Sequence, residues 1–139
     1  MAFDIVKQDF SATSELGYTF DLILPTGENS GAKLTVIGEQ SKTVRQYARK
    51  SLNEFHQRQQ IAKRKGRDEE LSIEELEELA VEQSLVRLIG WEGITENGKE
   101  VPFNKDKARE ILTAHPWIRE AIIAESEDIT NFRPKVQHL

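Results

Sequence analysis

The apolar rhythm of the chain changes once, near Ser41. From Tyr18 to Leu24 (YTFDLIL) apolar and polar residues alternate, with Tyr18, Phe20, Leu22 and Leu24 on one face and Thr19 and Asp21 on the other. A period of two is that of a half-buried strand, because successive side chains point to opposite faces. Ala32 to Ile37 (AKLTVI) alternates again, Leu34 and Val36 sharing a face, and the intervening PTGENSG is made of turn residues. The pair predicts a β-hairpin with a long loop. Two strands alone are marginal in water, so the hairpin must pack on helices or pair with a further strand.

Beyond Ser41 the apolar positions recur at helical spacing. Val44, Tyr47, Ala48, Leu52 and Phe55 form one stripe; Leu76, Leu79, Ala80, Val86 and Ile89 form a second. Folded back antiparallel, the two helices would bring these stripes together. Local end signals agree with this reading. Ser41 is placed to cap a helix over 42–65 that stops at Gly66, with Lys63, Arg64 and Lys65 on its last turn, where cations suit the helix dipole. Ser72 and Glu75 have the spacing of a capping box for the second helix.

Gly90 and Gly93 end that helix, and Asn97-Gly98 marks a tight turn across which Ile94 and Val101 can pair as a small ribbon. Asn104 is placed to cap a helix through Ala114, with Ala108, Ile111 and Leu112 inward. His115-Pro116 breaks it, and Pro116 suits the first position of a last helix, from Trp117 to Glu127, carrying Ile118, Ala121, Ile122 and Ala124. Ile129 and Phe132 are expected to anchor the end.

The predicted fold class is therefore α+β: an N-terminal β-hairpin, a long helical hairpin and two shorter C-terminal helices. At 139 residues a single domain over 17–132 is the simplest division, long enough to bury about two-thirds of its unfolded surface. Residues 1–16 show no period and are expected to be loosely held, with Phe3, Ile5 and Phe10 touching the core. Residues 133–139 are expected to form a flexible tail.

Charge sharpens the helical hairpin. Lys42 to Arg67 holds nine basic residues and one acid, Glu54, whereas Asp68 to Glu82 holds eight acids and no base. The net charge is −5, which argues against general nucleic-acid binding. A compact basic patch, Arg58, Lys63, Arg64, Lys65 and Arg67, could still contact phosphates, although it lacks the interleaved aromatics that stack single-stranded bases. There is no run of eighteen apolar residues, no secretory-type N-terminus and no cysteine, so a cytoplasmic protein without disulfides or a membrane span is expected.

Catalytic chemistry finds no converging set. PTGENSG is followed by a strand, not by the Gly-Lys-Ser/Thr and helix of a phosphate loop. His56, His115 and His138 are scattered, with no partner at metal-ligand spacing. Glu74 and Glu78 share a face, but acids in a first turn serve the helix terminus. No Gly-x-Ser-x-Gly occurs. The expectation is a non-enzyme with no metal and no cofactor. The large side chains suited to anchoring a partner are Trp91, Phe103 and Trp117, near loops or helix starts, with Tyr47 and Phe55 on the first helix. Core packing is the competing role for each tryptophan and for Phe103.

Two stretches carry a family resemblance: LILPTGENSGAKLTVIGEQS, a strand, a glycine-containing loop, a second strand and a serine before a long polar helix, and RLIGWEGITENGKEVPFNKDKAREIL, followed by a proline-interrupted helix and Phe132. Over about Tyr18 to Phe132 the chain resembles the tail assembly chaperones of long-tailed, siphovirus-like bacteriophages or prophages. The resemblance implies a non-catalytic protein made during virion assembly in the bacterial cytoplasm and absent from the finished particle. It implies binding to the tape measure protein and recruitment of the major tail protein, and a short form of a product that frameshifting can lengthen. Surplus apolar surface on the helices further predicts a homo-oligomer. The residues also leave open a structural head-tail or tail-completion component, and a nucleic-acid-binding regulatory adaptor using the 58–67 patch.

Overall fold

Strands β1 (Tyr18–Ile23) and β2 (Asn29–Val36) form the expected antiparallel hairpin in the computed structural model, which describes residues 2–67 and 70–134. Tyr18 faces Val36 and Phe20 faces Leu34 across the pair. The alternation read from sequence is the burial pattern: Phe20, Leu22, Ala32, Leu34 and Val36 are buried. On the outer face the Thr19 and Thr35 hydroxyls meet at 2.7 Å, and Lys33 Nζ donates to Asp21 Oδ1 at 2.9 Å.

The segment expected to be loosely held contains a seven-residue helix, α1 (Phe10–Leu16), capped by Asp9, whose carboxylate accepts from the amides of Ser11 and Ala12. Ser14, within this helix, is fully buried. Phe3 and Ile5 do not touch the core: each is 75% exposed. Phe10 is half-buried.

Helix α2 (Lys42–Arg64) begins and ends where the end signals put it, with Ser41 Oγ accepting from the Val44 amide and Gly66 at φ 67° just past the end. Helix α3 (Ile73–Arg87) opens with the complete capping box of Ser72 and Glu75. Its continuation corrects the sequence reading. Without any loop, α3 becomes strand β3 (Leu88–Glu92), which pairs antiparallel with β2 to complete a three-stranded sheet in the order β1-β2-β3. Ile89, expected on the helical stripe, lies in this strand and is 42% exposed. The abrupt switch is secured by Lys105, whose ammonium donates to the carbonyls of Leu85 and Leu88 at 2.7 and 2.8 Å, adding a second bond to a Leu85 carbonyl that already accepts from the Leu88 amide.

The second stripe is corrected as well. α3 buries Val81, Ser84 and Leu85, and Leu88 extends the same line, whereas Leu76 is 51% exposed and Leu79, Ala80 and Val86 are half-buried. The reason is the packing partner. α3 rests chiefly on α4 (Lys105–Ala114) and α5 (Pro116–Glu127), and only lightly on α2. The core is therefore the inner face of the sheet together with Val81, Leu85, Ala108, Leu112, Ile118, Ile122 and Phe132.

Asn104 caps α4 by accepting from the Lys107 amide at 2.8 Å, and Pro116 opens α5. Ala124, expected inward, is exposed, and Ser126 is buried in its stead. Phe132 is buried at the end of a short 3-10 turn (Ile129–Phe132), but Ile129 is largely exposed. The two-residue strands β4 (Thr95–Glu96) and β5 (Lys99–Glu100) flank Asn97 and Gly98, both at positive φ. Val101 donates its amide to the Ile94 carbonyl at 2.9 Å, the pairing the turn signal predicted.

The chain 37–41, between sheet and α2, ties the layers together. The Ile37 amide donates to the Arg87 carbonyl at 2.8 Å, Gly38 to the Ser14 carbonyl at 2.9 Å, and Glu39 to the Ser126 carbonyl at 3.0 Å. Ser126 Oγ returns a bond to the Ile37 carbonyl at 2.8 Å. Three helices thus converge on five residues. The fold class is α+β, with an N-terminal hairpin and a mainly helical remainder.

Candidate partner-binding site

Helix α2 is 23 residues long, about 34 Å at the usual rise. A helix of that length ordinarily buries a continuous stripe, since packing supplies most of its stability. Yet α2 buries only Val44 and Ala62, near its two ends. Between them Tyr47, Ser51 and Phe55 are half-buried, Ala48 is exposed, and Leu52 is 55% exposed.

The apolar stripe of α2 does face α3, but the two helices leave an open cleft of about 780 Å³ between them. Val44, Tyr47, Ala48, Leu52 and Phe55 line one wall, and Leu79 with Leu71 lines the other. Arg58 Nη2 bridges the mouth to Glu75 Oε2 at 2.9 Å. The guanidinium holds the Glu75 carboxyl below its ordinary value, helped by the Ser72 amide. Both side chains are well exposed, so the bridge contributes little and does not close the cleft.

At the other end lies Arg87, buried although charged. Its Nη1 donates to the Gln83 carbonyl at 2.6 Å, while Nε–H has no acceptor among the described residues. Burial pushes this guanidinium below its ordinary value, and the nearby Glu39 and Glu127 carboxylates oppose that shift. Nothing in the sequence signals the burial of Arg87, a base on the last turn of an acidic helix, where cations are ordinary.

The candidate anchors do not form one site. Tyr47 and Phe55 line the α2–α3 cleft. Trp91 and Phe103 lie elsewhere and pack on each other, ring centroids 4.8 Å apart and planes at 84°, with the indole N–H donating to the Val101 carbonyl at 2.8 Å. Both are half-buried against the core. Trp117 lines a second, smaller cleft of about 520 Å³, with Leu22, Leu24, Ile94, Ile111 and Ile118.

The basic residues Arg58, Lys63, Arg64, Lys65 and Arg67 are all exposed at the end of α2. Glu74 and Glu78 are exposed too, and no group of three potential metal-binding side chains occurs among the described residues. His56 and His115 are exposed on different elements, and His138 lies outside the described residues. No described helix is long and apolar enough to cross a membrane.

Residues 39–138 match the family model described as YdaY prophage protein. The chain belongs to that family. The match begins in the 37–41 junction and takes in both walls of the α2–α3 cleft, while β1, β2 and α1 lie outside it. This YdaY-family chain is thus a phage-derived protein, and the matched portion holds every candidate residue singled out from the sequence. No curated protein and no solved structure matches it significantly.

Proposed function

We propose that this prophage protein is a non-catalytic tail assembly chaperone that binds the tape measure protein and helps bring tail-tube subunits to it. The observation that carries this reading is the unfilled α2–α3 cleft, where a long helix leaves Leu52 and part of Tyr47 and Phe55 uncovered. Apolar surface of this kind on a small acidic protein suits transient cover of an apolar helical client while the complex stays in solution. Membership of a prophage family and the resemblance over Tyr18 to Phe132 support the same reading.

A nucleic-acid adaptor is less well supported, because Arg58 is engaged by Glu75 and the neighbouring helix carries carboxylates that repel phosphate. Cytoplasmic residence and absence from the finished particle belong to the proposal. The test is co-expression with the tape measure protein of the same prophage. The chaperone keeps that protein in the soluble fraction; equal insolubility with and without it would end the reading.

A further inference from the structure

We propose that the α2–α3 cleft receives one amphipathic helix of the partner whose apolar ridge is bordered by lysine or arginine, an assignment that rests on the chaperone function proposed above. The shape favours a helix over a small molecule. From Val44 to Arg58 the trough follows α2 for about four turns, about 21 Å, and both walls are helices. A third helix laid along two antiparallel ones buries its ridge between theirs, the usual helix-in-groove arrangement.

The sign of the occupant follows from the rim. Glu39, Glu54, Glu75, Glu78, Glu82 and Glu127 line the cleft, against three bases, Lys50, Arg58 and Arg87. Arg58 is bound to Glu75, and Arg87 is buried with Glu39 and Glu127 nearby. Glu82 is paired with Arg109, which lies outside the cleft, whereas Glu54 and Glu78 form no ion pair among the described residues. A basic border on the incoming helix meets these carboxylates, and an acidic border is repelled. A second copy, whose own α2 carries an apolar stripe among bases, would compete for the cleft, and the dimer measurement below separates it from a client helix.

The probe is a synthetic leucine-lysine peptide of about 18 residues, about 27 Å as a helix, with its leucines on one face. Two comparison peptides keep its length: leucine-glutamate with the same face, and leucine-lysine with the face scrambled. Fluorescence anisotropy on the full chain is expected to show binding of the first, weakened about tenfold or more in each of the others. Leu52→Asp, at an exposed position, should lose binding, and the double variant Glu54→Lys, Glu78→Lys should shift preference towards the glutamate peptide. Glu120→Lys, on α5 outside the cleft, should change nothing. Equal binding of all three peptides, or indifference to the cleft variants, overturns the proposal. So does a stable dimer that Leu52→Asp dissociates and the peptide cannot, since a second copy would then be the occupant. If Leu52→Asp keeps the tape measure protein as soluble as the parent chain does, the cleft is refuted and the chaperone function stands. If the parent chain itself fails there, the chaperone function falls, and the peptides alone decide the cleft.

Discussion

Gly38 lies so close to Ser14 that a methyl group on its Cα would come within 2.6 Å of the serine hydroxyl oxygen. The same methyl would approach the Phe132 ring at 3.0 Å. Because the Gly38 amide also donates to the Ser14 carbonyl, neither segment can move away without breaking the contact. Gly38→Ala is therefore expected to destabilise the fold by about 1–3 kcal/mol, the usual cost of overpacking. Chemical denaturation of the variant checks this, and an unchanged midpoint would mean that α1 is not held against the junction.

Trp91 and Phe103 were candidates both for partner anchors and for core packing. Their edge-to-face contact and the indole bond to Val101 hold β3 against the segment leading to α4. Replacing either by Ala should cost about 2–3 kcal/mol, less than for a fully buried aromatic, through lost burial and a lost ring pair. Thermal melts followed by circular dichroism should shift downwards. A melt that stays in place while partner binding is lost would assign them to an interface.

Much of this architecture was legible because its signals are local. Ser41, the Ser72–Glu75 box and Asn104 each fix a helix start through a short-range bond, Asn97-Gly98 and Pro116 set a turn and a helix start through backbone geometry, and all act where the sequence put them. What was missed depends on partners distant in sequence. Leu88 to Glu92 is too short a run to separate from the helix before it, and only pairing with β2 makes it a strand. The inward face of α3 could be read two ways, because Leu79 and Val81 lie on different sides and each side meets something: the open cleft and the α4–α5 core. Helix α1 has no apolar period, and it is held by the buried Ser14 and by polar contacts distant in sequence: Thr13 Oγ1 to the Phe132 carbonyl, the Gly38 amide to the Ser14 carbonyl, and the Thr43 amide to the Glu15 carboxylate. As for the site, the α2 stripe was visible from its spacing, but its incomplete cover was not, since that depends on how far α3 leans away.

Acid should loosen the mouth of the cleft in a defined direction. The Glu75 carboxyl is held below its ordinary value of 4.5 by Arg58 and the Ser72 amide. A carboxylate depressed in the folded state stabilises it above the unfolded value, and that contribution is lost as pH falls from 4.5 through the lower folded value. Glu75→Gln should therefore flatten the fall of stability with pH in that window, read from melts taken between neutral and acidic pH. An identical pH slope in parent and variant would show that the pair is not formed in solution.

In the proposed complex α2 and α3 together hold a helical client. Hydrogen-deuterium exchange on this chain, alone and co-purified with the tape measure protein, reads that contact, because amides under a new contact exchange more slowly. Protection gained along α2 from Val44 to Arg58 and along α3 from Glu75 to Gln83, with the β4–β5 ribbon unchanged, is the predicted result. Failure to co-purify, or a complex in which those two helices exchange as fast as in the free chain, would contradict it.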